Sequence, residues 1–124
     1  MSLYAYPSEQ RITGDDGRPW ATWYGWHISG TSFTEDLHPF TDQEDRERWI
    51  KGVESLIAPA TFNEYERNVI PALCMVCAFG DETAADRIEP TLDDAFPEYS
   101  ARLTMGESTI YDLAQIEGFA FPTV

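Results

Sequence analysis

The chain of 124 residues has little positive charge, because only eight lysines and arginines accompany 22 aspartates and glutamates, which gives a formal charge of −14. Only one of the eight is a lysine, Lys51. A surface so poor in bases repels phosphate backbones and anionic lipid headgroups, since nucleic-acid binding depends on basic residues that displace condensed counterions. We therefore expect no direct binding to nucleic acid and no membrane partner.

Long apolar runs and cysteines are also scarce. No run approaches the roughly 18 apolar residues that a membrane span requires, and residues 1–7 lack the basic and apolar regions of a signal peptide. Two cysteines three positions apart cannot cross-link distant parts of a small secreted scaffold. These absences predict a cytoplasmic protein.

Apolar and aromatic residues, by contrast, are abundant enough for a core, at 43% and 14% of the chain. A chain of this length fits one domain, so we expect residues 1–124 to fold as a unit that buries roughly two-thirds of its surface. The predicted class is α+β: a helix-rich domain in which a small antiparallel sheet packs against two main amphipathic helices. The apolar faces of these elements each need a partner, and this arrangement lets them bury one another.

Residues 20–29 alternate in the manner of a β-strand. One predicted face carries Trp20, Thr22, Tyr24, Trp26 and Ile28, and the other carries Ala21, Trp23, Gly25 and His27. Because the first face is too apolar to leave in water, we expect it to form core beneath a helix. The alternative is an aromatic platform for a sugar, a base or a peptide, formed by Trp20, Trp23, Trp26 and His27.

Residues 3–12 favour a short edge strand, and residues 14–19 favour a turn.

Two capping-box patterns predict the main helices. Thr41 with Glu44 predicts a helix over residues 42–57, and Thr61 with Glu64 predicts a second helix over residues 62–79. Pro71 should either kink the second helix or divide it into two.

The remainder of the chain predicts shorter elements. Asp81 should cap a helix that ends before Pro90, and residues 91–94 should open another that ends before Pro97. Residues 101–105 and 119–121 favour short strands, and residues 108–117 favour a helix between them.

Few residues suggest chemistry. Cys74 and Cys77 form a CxxC pair, but they fall late in a predicted apolar helix, so we interpret them as reduced, unreactive core residues without metal or cofactor. His27 lies on the predicted strand, and His38 precedes a proline in a predicted loop. Neither belongs to a known nucleophile motif, and geometry would have to establish any catalytic arrangement. These absences favour a protein that is not an enzyme.

The acids offer a functional hypothesis because they are unevenly distributed. Residues 1–34 hold three acids and two bases, whereas residues 35–66 hold nine acids and three bases. We hypothesise a non-enzymatic interaction domain, such as an inhibitor, an immunity protein or an antitoxin-like factor of phage or plasmid type, which meets a basic protein partner. The candidate contact residues are Glu35, Asp36, Asp42, Glu44, Asp45 and Glu47. One alternative is a small enzyme or ligand binder that uses His38, carboxylates and the tryptophan-rich strand, and another is that the charge serves solubility alone.

Overall fold

The computed structural model describes residues 3–30, 33–56, 62–99, 110 and 113. Three strands precede three helices in this part of the chain: β1 (Tyr4–Thr13), β2 (Pro19–Ser29), β3 (Thr34–Phe40), α1 (Gln43–Ser55), α2 (Glu64–Phe79) and α3 (Glu82–Ala95). The strands form an antiparallel sheet in the order β1-β2-β3; α1 and α2 pack on one of its faces, and α3 packs against α2. The α+β prediction is confirmed.

The hairpin of β1 and β2 is built on the predicted turn. The Gly14 N–H donates to the Arg18 carbonyl at 2.9 Å, and the Gly17 N–H donates to the Gly14 carbonyl at 3.0 Å. Gly17 has a φ of +79°, a conformation that glycine adopts without the steric cost of a Cβ. The edge strand predicted within residues 3–12 forms as β1, which continues through Pro7 and pairs with β2 along its whole length.

The core lies between the sheet and the helices. Trp26 and Ile28 of β2 are fully buried there, as are Trp49 of α1 and Ile70 of α2. The indole N–H of Trp49 donates to the Pro71 carbonyl at 2.9 Å and so joins the first two helices. The prediction that the apolar face of β2 forms core is confirmed at Trp26 and Ile28, whereas Trp20 lies beyond the helices and is 76% exposed.

Strand β3 corrects the prediction that His38 lies in a loop. Trp26 pairs with Leu37 and Tyr24 pairs with Phe40, so two residues of β3 face the single Gly25 of β2 in a bulge. A Cβ atom at Gly25 would collide with the Leu37 carbonyl oxygen and the His38 Cα, so glycine permits this close approach. The proline after His38 misled the prediction, but proline is tolerated at bulges and on edge strands such as β3.

The predicted helices form with different caps. Asp42, not Thr41, caps α1. Its side chain accepts a hydrogen bond from the Glu44 N–H at 2.8 Å, and its negative charge interacts favourably with the positive end of the helix dipole. In α2 the capping box consists of Asn63 and Glu66. The box predicted from Thr61 and Glu64 is therefore wrong, since Glu64 is already the first residue of the helix.

Two prolines lie inside helices instead of ending them. Pro71 lies within the single helix α2, so the predicted division does not occur. Asp81 caps α3 as predicted, by accepting from the Ala84 N–H at 2.8 Å, but α3 continues through Pro90 to Ala95. One helix forms where two short helices were predicted. Ile88 before Pro90 and Leu92 after it are both buried in the same core, and this packing stabilises the continuous helix.

The elements predicted over residues 101–105 and 119–121 lie outside the described residues. Within the span of the predicted helix over residues 108–117, the structure describes Ile110 and Leu113. Both are helical, and both lie in the core.

Candidate functional site

The face of the sheet opposite the helices is the candidate site, and we call it the open sheet face. Cross-strand partners share a face of a sheet, so the pairing of Tyr6 with His27 and of His27 with Asp36 places these three side chains side by side. Alternation along the strands adds further members. The open sheet face comprises Tyr4, Tyr6 and Ser8 of β1, Trp23 and His27 of β2, and Asp36 and His38 of β3.

Three rings form a cluster on this face. The Tyr4 and Tyr6 rings lie parallel within 8°, with centroids 6.2 Å apart, and the His27 ring stacks on Tyr6 at 4.9 Å. Tyr4 is 48% exposed and Tyr6 is 49% exposed. The solvent-facing side of an antiparallel sheet is ordinarily polar, so a cluster of half-exposed rings here is typical of a contact surface.

A carboxylate borders the ring cluster. The Asp36 Oδ1 lies 2.9 Å from the His27 Nδ1, and its side chain is 55% exposed. The contact orients the imidazole, while the exposure leaves Asp36 accessible to a second cationic group. Rings and carboxylate together present a surface suited to a cation with a flat apolar face, such as a guanidinium.

A second polar contact crosses the central strand. The Ser8 Oγ of β1 lies 2.8 Å from the His38 Nε2 of β3, and the tautomer of the ring decides which of the two donates. The contact is short because Gly25, which lies between them on β2, has no side chain. Burial lowers the pKa of His38, Asp36 opposes this effect, and the charges of Arg46 and His27 lower the pKa further. A neutral imidazole beside a hydroxyl is the contact that serine nucleophiles use.

Arg46 of α1 supports this part of the sheet from the helix side. Its Nη1 donates to the carbonyls of Ser8 and Gly25, both at 3.1 Å. Its guanidinium lies 5.7 Å from the Tyr24 ring centroid and 6.0 Å from the Trp26 ring centroid. Desolvation lowers the pKa of Arg46. One side chain thus connects the adjacent strands β1 and β2 at Ser8 and Gly25.

The predicted platform residues lie in three places. Trp23 and His27 lie on the open sheet face. Trp26 is fully buried in the core and therefore cannot contact a ligand, and Trp20 points to the other face of the sheet at the far end of the hairpin. The prediction missed Tyr4 and Tyr6: their spacing of two indicates only that they share a face of β1, and the register with β2 then places them beside His27.

The six predicted contact acids are also dispersed. Five of them are engaged with the chain itself: Glu35 with Arg87 at 2.8 Å, Asp36 with His27, Asp42 at the α1 cap, Asp45 with Arg48 at 3.5 Å, and Glu47 with Arg67 at 2.7 Å. Glu44 is exposed in the first turn of α1. Only Asp36 belongs to the open sheet face, because Glu35 pairs with Ile28 and so faces the helices.

Three cavities bounded by described residues meet the open sheet face only at Tyr4. One of about 390 Å³ adjoins the exposed face of α1 between Gln43 and Lys51, one of about 320 Å³ lies at the end of α3, and one of about 260 Å³ lies between the start of β1 and α2. None of these three includes Trp23 or His27.

The two cysteines lie in α2, away from the open sheet face. Both are buried, as predicted, and burial raises the pKa of Cys74 well above its ordinary value. Burial and the nearby carboxylates of Glu89 and Asp93 raise the pKa of Cys77 to about 12. These thiols therefore remain protonated at neutral pH, and a protonated thiol is a poor nucleophile. Among the described residues, no group of three or more metal-ligating side chains converges.

Comparison of the chain with models of known protein families, with curated proteins and with solved structures finds no match. Within residues 3–30, 33–56 and 62–99, no helix is both long and apolar enough to cross a membrane. The assignment of function therefore depends on the geometry and chemistry of the side chains described above.

Proposed function

We propose that the chain is a non-enzymatic interaction domain that binds a basic protein partner through the open sheet face. The observation that carries the proposal is the cluster of the half-exposed Tyr4 and Tyr6 rings with the His27 ring, beside the Asp36 carboxylate. Tyrosine is enriched at the energetic centres of protein interfaces, since it brings a large contact area at a low entropic cost. The buried thiols accord with a reducing compartment, and we place the protein in the cytoplasm.

The chemistry of the open sheet face favours arginine as the group that it contacts. A guanidinium can stack on a tyrosine ring and pair with a carboxylate at the same time. The formal charge of −14 attracts a basic partner from a distance and accelerates its encounter with this face. In this proposal the acids of α1 supply long-range attraction, and Asp36 supplies the direct contact.

The Ser8–His38 contact favours a second function, a small hydrolase in which His38 would accept the Ser8 proton. Covalent labelling of Ser8 by a fluorophosphonate reagent would favour this second function over the first. No labelling, together with binding of basic peptides at the open sheet face, would favour the interaction domain.

A titration with a hexa-arginine peptide tests the proposed surface. We expect amide chemical-shift changes in isotope-labelled protein at Tyr6, His27 and Asp36. Binding should weaken from 0.1 M to 1 M salt, as the Debye length shortens from about 10 Å to about 3 Å. The double variant Tyr6→Val/Asp36→Asn retains a strand-forming residue but loses a ring and a charge, so its affinity should fall by about tenfold.

The control variant is Asp86→Asn, which removes one exposed carboxylate from α3, outside the open sheet face. It should change the affinity by less than about twofold, because it alters only the overall charge. Equal losses in the two variants would mean that the peptide responds to net charge alone, and the proposed surface would then be wrong. The same variants can be compared in affinity capture from a host lysate at low and high salt.

A further inference from the structure

Residues 9–23 form a hairpin arm that extends beyond the core. Strand β3 pairs with β2 only between Tyr24 and Ser29, so in residues 19–23 the only neighbouring described strand is β1. Ile12 is 39% exposed, and Trp20 is 76% exposed where its indole lies against Gly14. A two-stranded hairpin is at best marginally stable in water, so an exposed arm of this length gains order when another strand joins it.

The edge of β1 that faces away from β2, which no other described strand covers, offers that joining site. β1 is an edge strand of the described sheet, and residues 9–13 are exposed along their whole length. Its backbone N–H and C=O groups that point away from β2 form a template for a further strand, unless side chains prevent the approach. The side chains of residues 9–11 therefore decide whether this edge repels or accepts another strand.

The charges on this edge are self-complementary. In an antiparallel pair of identical strands centred on Gln10, Glu9 of each copy lies opposite Arg11 of the other. Glu9 and Arg11 already point to the same face, where the Arg11 Nη2 lies 3.3 Å from the Glu9 Oε1. Their side chains are 40% and 71% exposed, so both are accessible to a second copy.

The charge distribution of the whole chain also favours contact at the arm. Residues 1–34 carry three acids and two bases, a net charge of −1, whereas the remaining residues carry −13 of the total of −14. Two copies that meet through their arms bring together the least charged part of each chain and hold the acidic bodies apart. Contact through the helices would instead oppose two strongly negative surfaces.

We propose that the edge of β1 over residues 8–12 is a self-association surface, at which two copies pair antiparallel about a twofold axis at Gln10 and join their sheets. The pairing places Ser8 opposite Ile12 and Glu9 opposite Arg11 on each side of the axis. The ring cluster and Asp36 of the open sheet face lie outside the paired residues, so the pairing is independent of the proposed partner contact.

Charge exchange tests this pairing without disturbing the core. Sedimentation velocity at 0.15 M salt over a range of concentrations should show a monomer–dimer equilibrium for the wild-type protein. Glu9→Arg and Arg11→Glu each place like charges opposite one another at two symmetric positions, so each variant alone should lose about tenfold in dimerisation affinity. An equimolar mixture of the two variants should recover a heterodimer, and the double variant E9R/R11E should recover a homodimer.

Glu44→Arg provides a control at an exposed site on α1, and it should dimerise at least as well as the wild type. Hydrogen exchange of the amides of residues 8–12 should slow as the wild-type protein dimerises. A wild-type protein that stays monomeric to about 500 µM would overturn the proposal, and Glu9 and Arg11 would then be edge-protecting charges. Dimerisation that is unaffected by the single variants, or not recovered in their mixture, would overturn it as well.

Discussion

At the scale of single residues, His38 should make stability depend on pH. Its pKa in the folded protein lies below the usual value of about 6.5, chiefly because the ring is partly buried. The unfolded chain therefore binds the proton more readily, so the free energy of unfolding falls as pH decreases from above 6.5 toward the folded pKa. His38→Gln should remove this contribution, which cannot exceed about 1.4 kcal/mol per pH unit.

Urea unfolding of the wild type and the variant between pH 5 and 8 measures the difference. Ser8→Ala is the matched control, because it removes the contact with His38 but leaves the burial that lowers the pKa. It should keep the pH dependence of the wild type. Parallel curves for wild type and His38→Gln would show that the imidazole does not contribute.

Single residues also show what the sequence could predict of the candidate site. Alternation along β2 correctly separated Trp23 and His27 from Trp26. It could not show that Tyr4 and Tyr6 lie beside His27, because that depends on the register between two strands. Nor could it bring Ser8 to His38, since the bulge at Gly25 is a property of the assembled sheet.

At the scale of the elements, Gly25 is a position at which the sheet does not tolerate a side chain. A Cβ there would collide with backbone atoms of Leu37 and His38, which cannot move without breaking the pairing of β2 with β3. Gly25→Ala should therefore lower the free energy of unfolding by about 1–3 kcal/mol, measured by urea unfolding. It should also separate Ser8 from His38 and so change the imidazole chemical shifts.

Gly52 in α1 is the matched control for this substitution. A Cβ at Gly52 would approach the side chain of Leu113 at 2.9 Å, and a side chain can rotate away. The gain in helix propensity on replacing glycine by alanine, up to about 1 kcal/mol, offsets this approach. Gly52→Ala should thus be close to neutral, and equal losses at Gly25 and Gly52 would contradict the account of the bulge.

The helices and strand β3 show where sequence patterns mislead at this scale. Apolar periodicity predicted each end of α1 and α2 to within two residues, because burial of one face dominates the stability of these helices. Local signals were less reliable: Pro90 lies inside α3, and the residues around Pro39 belong to a strand. In both cases packing against the core outweighs the loss of one backbone donor.

At the scale of the whole molecule, net charge should set how stability responds to salt. The described ion pairs lie on or near the surface, where such pairs contribute at most about 1 kcal/mol each. The 14 uncompensated acids repel one another over longer distances, and folding brings them closer together. Screening should therefore relieve more repulsion than it weakens attraction, since the acids outnumber the bases by 22 to 8.

We expect the melting temperature to rise as sodium chloride increases from 0.01 M to 0.15 M, where the Debye length shortens from about 30 Å to about 8 Å. The rise should be equal in potassium chloride, because screening depends on ionic strength and not on the cation. Near the isoelectric point of about 4.2 the net charge is close to zero, so at that pH the rise should disappear. A melting temperature that falls with salt would mean that the pairs of Glu35 with Arg87 and Glu47 with Arg67 outweigh the self-repulsion of the acidic surface.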